Sequence, residues 1–99
     1  MLTTSFHLLH KAGACTGRYW HLAKALGGVN RYGRDAPIPI LTVLDHNGLD
    51  DALWCFRATA PEQAAERDQV ARLLACDYAE GKDGGVLAIY ERAHPGDER

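Results

Sequence analysis

The sequence predicts an all-α fold, a compact single domain of four to six short helices. Strand signals are scarce, because no alternating run rich in Val, Ile and Thr lies between turn residues. Helical signals recur instead, as apolar residues spaced three and four apart that follow candidate capping residues. The chain has 99 residues, 46% hydrophobic and 24% charged, which suits one globular unit. We therefore expect residues 1–99 to form a single helical domain.

The first two helices are predicted from residues that begin and end helices. A cap at Thr4 or Ser5 is expected to begin the first helix, and Gly13 is its natural end. Thr16 is the expected cap of the second helix, whose apolar residues recur at helical spacing until Gly27.

The middle of the chain predicts a loop followed by two further helices. Residues 29–37 are polar and contain Gly and Pro, which is typical of a loop. Pro39 would remove a hydrogen-bond donor from a strand, whereas it suits the first turn of a third helix. Asn47 is the expected cap of a fourth helix over about residues 49–58.

The longest predicted helix covers about residues 61–80. Thr59 and Glu62 match the spacing of a capping box at its start. Its apolar stripe is expected to consist of Ala64, Val70, Ala71, Leu73, Leu74 and Tyr78. Trp54 is expected to be buried between this helix and the fourth. Residues 86–92 suit either a short helix or a short strand, and any strand of the chain is expected there.

The charges are divided unevenly along the chain. Residues 1–34 contain five Lys or Arg side chains and no Asp or Glu. Residues 35–99 contain all thirteen Asp and Glu side chains against six Lys or Arg, so the net charge of −2 conceals two regions of opposite sign. Such an asymmetry indicates which partners a protein attracts more than which fold it adopts.

The acidic region is a candidate surface for a basic protein partner. The residues that we expect to bind such a partner are Asp45, Asp50, Asp51, Glu62 and Glu66. An ordinary solvated surface is the other explanation for any single carboxylate among them. No run of about 18 apolar residues is present, so no membrane span is expected.

The basic region supports an alternative, a nucleic-acid-binding regulator. Its cations alternate with Tyr19, Trp20 and Tyr32, and such a composition can bind phosphates and stack on bases. The alternative nucleic-acid-binding residues are Lys11, Arg18, Lys24, Arg31 and Arg34. The negative net charge argues against this function. The basic residues can also dock on the acidic part of the same chain.

Cys15 supports a second alternative, a small cysteine-dependent enzyme. It precedes a predicted helix N-terminus, which favours a thiolate, and His10 or His21 is the candidate base. Burial of Cys15 as a small apolar residue is the competing explanation. We favour a protein without catalytic residues.

The sequence predicts neither a metal site nor a cofactor. The segment from Asp45 to Asp51 resembles a calcium loop, but the glycine and glutamate of that loop are not at the required spacing. No C-x-x-C or H-x-x-x-H pair is present for zinc. Three cysteines are an odd number and lie far apart, which indicates a reducing compartment. The first residues do not have the pattern of a signal peptide, so we expect a cytoplasmic protein.

The segment from Leu44 to Trp54 carries a family resemblance. It reads LDHNGLDDALW, and ERDQVARLLACDYAE follows it. These two motifs resemble a group of small bacterial and phage-encoded helical proteins that are often labelled immunity proteins. The resemblance covers roughly half of the chain, implies a helical fold and host-defence setting, and provides no catalytic residues.

We therefore predict a non-catalytic phage or mobile-element protein that binds and inhibits a host protein complex in the host cytosol. An anti-CRISPR inhibitor is the most concrete form of this prediction. It rests on the small size, the acidic two-thirds of the chain and the setting of the similar proteins. The expected partner is a host protein or protein complex with a basic surface.

Overall fold

Helices make up most of residues 1–93, the part of the chain that the structure, a computed structural model, describes. This confirms the predicted all-α fold, although residues 1–93 form seven α-helices and the sequence predicted four to six. The helices are α1 (Phe6–Lys11), α2 (Thr16–Ala25), α3 (Val29–Tyr32), α4 (Ile40–Asn47), α5 (Leu49–Trp54), α6 (Ala64–Ala79) and α7 (Val86–Ala93). Two 3₁₀ turns, Cys55–Ala58 and Pro61–Gln63, lie between α5 and α6.

Two strands of two residues each hold the start of the chain against its middle. Strand β1 (Thr3–Thr4) pairs antiparallel with β2 (Ile38–Pro39), and Thr3 faces Pro39. Ile40 N donates to Leu2 O at 3.1 Å, so the neighbouring Thr3–Pro39 pair is a non-hydrogen-bonded one. Proline fits there because that position needs no donor. The prediction that any strand lies at 86–92 is wrong.

The start of α1 confirms one predicted cap, and the start of α2 contradicts another. Ser5 Oγ accepts a hydrogen bond from Leu8 N at 3.1 Å, as an N-cap does. Cys15, and not Thr16, occupies the position before α2, where no side chain caps the helix. Thr16 is the first helical residue instead. The N–H groups at this end of α2 are therefore open to the Cys15 side chain.

Two predictions for the middle of the chain, the loop over residues 29–37 and the cap at Asn47, are wrong. Residues 29–32 of the expected loop form the single turn α3, which begins after Gly28 and ends before Gly33. Asn47 does not cap the fourth helix, because it is the last residue of α4. Gly48, with φ +91°, makes the sharp corner between α4 and α5, a backbone conformation that favours glycine.

Two predictions about the longest helix are also wrong. Ala60 precedes the turn at Pro61–Gln63, so the capping box does not form, and Thr59 Oγ1 is buried without a partner among residues 1–93. Tyr78, a predicted member of the buried apolar stripe, is 59% exposed, and the neighbouring Asp77 is buried instead. Asp77 Oδ2 accepts a hydrogen bond from Val86 N at 3.2 Å, and this contact explains why α6 turns a carboxylate inward at the start of α7.

One hydrophobic core runs through the described residues. Its buried apolar residues come from Leu2, which precedes β1, from Ile38 in β2, from six of the seven helices and from the turn after α5. The Cα radius of gyration of 12.8 Å is that of a compact chain of this length. The fully or nearly buried apolar residues are Leu2, Phe6, Leu9, Leu22, Ala23, Ile38, Ile40, Val43, Ala52, Cys55, Ala58, Val70, Leu74 and Leu87. No helix within residues 1–93 is long and apolar enough to cross a membrane.

Candidate functional site

A largely apolar cavity of about 240 Å³ lies between α2 and the α4–α5 pair. Its apolar wall consists of Leu9, Ala14, Tyr19, Leu22, Val43 and Trp54. Trp54 is only partly buried here, so the prediction that α5 and α6 enclose it is wrong. Five separate parts of the chain supply this wall, and no local sequence pattern could have predicted it.

A small polar network lies at the edge of the cavity and joins α2 to the α4–α5 corner. Asn47 Nδ2 donates to Asp51 Oδ2 at 3.0 Å and to Arg18 O at 3.2 Å. Arg18 Nη1 lies 3.3 Å from the same Asp51 oxygen. The Arg18 side chain is 62% exposed, so this ion pair contributes at most about 1 kcal/mol to stability. The network orients Asp51 more than it stabilises the fold.

The Arg18–Asp51 pair changes the interpretation of both candidate charged surfaces. The sequence assigned Arg18 to a nucleic-acid surface and Asp51 to a protein-binding surface, but the structure brings the two side chains together. At this point the basic third docks on the acidic part of its own chain, as one of the sequence explanations anticipated. Arg18 is therefore not a free cation.

The remaining candidate acids divide between two places. Asp45 and Asp50 are exposed on α4 and α5 and form no ion pair within residues 1–93. Together with Asp51 they form what we call the acidic corner. Glu62 is exposed in the turn before α6, and Glu66 Oε2 lies 3.1 Å from the N-terminal ammonium of Met1. No described hydrogen bond or ion pair connects these glutamates with the acidic corner.

Cys15 lines the cavity, and its surroundings lower the pKa of its thiol. The backbone N–H groups of Arg18 and Gly17, at the start of α2, lower the pKa of this thiol, and the Arg18 charge acts in the same direction. Cys15 is exposed, so its explanation as a buried packing residue is wrong. Cys55 lines the same cavity, but burial raises the pKa of its thiol to about 12. Of these two cysteines, only Cys15 favours the thiolate.

The histidines predicted as bases for Cys15 have other partners. His21 Nε2 donates to His46 O at 3.0 Å, which joins α2 to α4. His10 packs edge-on against Tyr19, with ring centroids 6.5 Å apart. The groups that act on the Cys15 thiol are thus backbone N–H groups and the Arg18–Asp51 pair. The N–H groups and the Arg18 charge favour the thiolate, and the Asp51 charge opposes it.

A second, open groove of about 590 Å³ lies between α2 and α3. It brings Trp20 together with Arg31 and Arg34, three residues that the sequence had only placed in the same third of the chain. Lys11 and Lys24, the other candidate cations, are exposed and do not line it. The Trp20 side chain is 56% exposed.

Within residues 1–93, no group of three or more His, Cys, Asp or Glu side chains is arranged to hold a metal ion. Comparisons of the chain with models of protein families, with curated proteins and with solved structures found no match. The similarity to immunity proteins therefore remains a prediction from the sequence motifs.

Proposed function

We propose that this chain is a non-catalytic protein that binds and inhibits another protein, and that it docks through the cavity and the acidic corner. The observation that carries this proposal is the position of Asp51, which lines the apolar cavity and belongs to the acidic corner at once. A pocket for an apolar anchor and a charged rim are the two parts that a specific protein interface needs.

The cavity suits one large apolar side chain of the partner. A dry cavity of about 150 Å³ is enough for benzene, so a volume of about 240 Å³ has room for a Phe, Leu or Trp side chain. Tyr19 and Trp54 offer aromatic surface on its wall. Residues that enter such pockets usually contribute most of the affinity of an interface.

The acidic corner suits a basic surface around that anchor. Residues 40–54 contain three Asp and no Lys or Arg. Asp51 is paired with Arg18, so Asp45 and Asp50 carry the charge offered to the partner. Exposed charges at the rim of an interface mainly increase the association rate, and salt reduces the effect. The expected partner is therefore a basic protein that presents one exposed apolar side chain. The host-protein, cytoplasmic and anti-CRISPR details of the sequence prediction would be special cases of this proposal.

The surroundings of Cys15 support a binding role over an enzymatic one. General-base activation of a thiol needs a base within hydrogen-bond reach, and His21 Nε2 is engaged by His46 O, while no described hydrogen bond joins His10 to Cys15. Cys15→Ser should accordingly fold and inhibit the partner as the wild type does. Loss of inhibition by a folded Cys15→Ser variant would favour the cysteine-dependent enzyme instead.

The test compares capture by matched variants from a bacterial host lysate. Ala14→Phe fills the cavity, Asp45→Lys combined with Asp50→Lys reverses the corner, and Glu62→Lys is the control at an exposed acid outside it. Circular dichroism verifies that each variant folds. A protein captured by the wild type and by Glu62→Lys, but not by the other two baits, identifies the candidate partner.

Kinetics with that purified partner separate the two parts of the site. We expect Ala14→Phe to increase the dissociation rate by about ten-fold or more. The double Lys variant should decrease the association rate by about ten-fold and remove most of its salt dependence. Equal binding by all four proteins would contradict the proposed docking surface.

A further inference from the structure

We infer that the groove between α2 and α3 binds a nucleotide unit, a base with its phosphate, either free or within a single strand. None of the acidic-corner residues lines this groove, and Tyr19 is the residue that it shares with the wall of the proposed docking cavity. Its volume of about 590 Å³ lies within the range of roughly 300–1,000 Å³ of small-molecule sites.

Trp20 provides the surface on which a base would stack. Its side chain is 56% exposed, whereas Trp is usually well buried in proteins. The Tyr19 ring packs edge-on against it, with centroids 5.5 Å apart and an interplanar angle of 85°. This contact supports the indole while more than half of it remains accessible. Exposed aromatic rings of this kind are the stacking platforms of proteins that bind single strands.

Arg31 and Arg34 provide the charges for the phosphate. Both side chains are exposed, line the groove, and form no ion pair within residues 1–93, in contrast to Arg18. Asp35 is next to Arg34 in the sequence but is not paired with it. Guanidinium groups bind phosphate oxygens through two parallel hydrogen bonds, so two free arginines are well suited to a phosphate.

Two glycines line the groove together with the ring and the arginines. Gly27 and Gly28 have φ values of +93° and +103°, which glycine adopts readily. A Cβ on Gly28 would meet nothing within 4 Å, and a Cβ on Gly27 would lie 3.7 Å from Arg31 Cδ. The absence of side chains at these positions leaves space for a ligand in the groove.

The combination of ring and cations favours a nucleotide over an acidic peptide. An acidic peptide would use the two arginines, but it has no need of an exposed indole face. A nucleotide uses both, because the base stacks while the phosphate pairs with the cations. A duplex hides its base faces, so a single strand should bind better than a duplex of the same length.

The test measures fluorescence anisotropy of a short labelled single-stranded oligonucleotide at about 50 mM salt, where phosphate contacts are strong. Trp20→Leu removes the ring and keeps an apolar side chain. Arg31→Gln combined with Arg34→Gln removes the two charges. Lys24→Gln is the matched control, since Lys24 is an exposed cation of α2 that does not line the groove.

We expect Trp20→Leu to weaken binding by about five-fold or more. The double Gln variant should weaken it by about ten-fold and reduce the salt slope by about one. The Lys24→Gln variant should bind within about two-fold of the wild type. Competition by a mononucleotide but not by the nucleoside would assign the groove to free nucleotides, and competition by the unlabelled strand alone would assign it to single-stranded nucleic acid.

Three outcomes would overturn the inference. The first is that the folded wild type binds neither the single-stranded oligonucleotide nor the mononucleotide. The second is that Lys24→Gln weakens binding as much as the double Gln variant does. The third is that a duplex or polyglutamate competes as effectively as the single strand. The last two would mean that charge alone attracts the ligand, without a site at Trp20.

Discussion

Cys15 and Cys55 line the same cavity, yet their thiols have opposite tendencies to ionise. Backbone N–H groups of Arg18 and Gly17 stabilise the thiolate of Cys15 and lower its pKa. Burial raises the pKa of the Cys55 thiol to about 12, and the Asp51 charge acts in the same direction. The position of a thiol relative to a helix N-terminus and to solvent thus decides its reactivity, because only the thiolate is a strong nucleophile.

We predict that iodoacetamide modifies Cys15 before the other cysteines at a pH of about 7.5, because a lowered pKa increases the thiolate fraction below the usual thiol pKa. Cys76 is the reference, since it is also exposed, and Cys55 should react only after unfolding. Peptide mass spectrometry over time gives the three rates. Labelling of native Cys55, or of Cys76 at the same rate as Cys15, would contradict this prediction.

Thr4 shows how one residue can have a different role from the predicted one. The sequence offered Thr4 or Ser5 as the cap of α1, and the structure assigns that role to Ser5. Thr4 Oγ1 instead donates to Ala58 O at 2.6 Å and is buried. This hydrogen bond ties β1 to the turn after α5, and its loss would leave a buried carbonyl unpaired.

At the scale of elements, the connection from α6 to α7 packs against the corner between α4 and α5. Gly84 is buried with φ +92°, and a Cβ there would lie 3.0 Å from Leu44 Cδ1 and 3.3 Å from Leu49 Cδ1. Two residues after Gly84, the backbone N–H of Val86 donates a hydrogen bond to Asp77 Oδ2. The hydrogen bond and the close backbone approach together determine where α7 begins.

We predict that Gly84→Ala lowers the free energy of unfolding more than Gly81→Ala does. Both glycines have positive φ, so each substitution costs about 1 kcal/mol in backbone strain. Only the Cβ at Gly84 meets neighbours within 4 Å, which adds about 1 kcal/mol of overpacking. Urea denaturation measures both variants. Equal losses would show that the leucines move aside without cost.

At the scale of the whole molecule, residues near both ends of the described chain belong to one core. Leu2 and Leu87 are both completely buried, and the N-terminal segment is further held by Gln63, whose side chain contacts Met1 O and Thr3 N. A core that joins distant segments in this way is expected to unfold cooperatively. The first residues are thus part of the fold and not a tail.

We predict that Leu2→Ala and Leu87→Ala each lower the free energy of unfolding by about 2–5 kcal/mol, because each leaves a cavity in the core. Ile89→Ala is the control on α7, since Ile89 is 61% exposed, and its cost should be below about 1 kcal/mol. Circular dichroism and Trp fluorescence should follow one common transition. Separate transitions, or a cost at Leu87 equal to that at Ile89, would contradict a single core.

The sequence by itself determined the helical class, the long helix after residue 60, a cap at Thr4 or Ser5 and the division of charge. These properties depend on the nature of residues a few positions apart, and local rules of capping and helical spacing describe them well. The short sheet was not predictable in the same way. Strand β1 is too short to alternate, and it forms because Leu2 and its neighbours meet residues 38–40 in the folded chain.

Only the tertiary structure decided which side chains work together. It placed Asp51 on an apolar cavity and against Arg18, and it grouped Trp20 with Arg31 and Arg34 in one groove. Contacts such as Arg18–Asp51 join residues far apart in sequence, and they leave no periodic signal because their partners are set by the packing of helices and not by spacing along the chain. Residue types therefore indicated which chemistry is available, and packing alone decided where each charge and each ring is exposed.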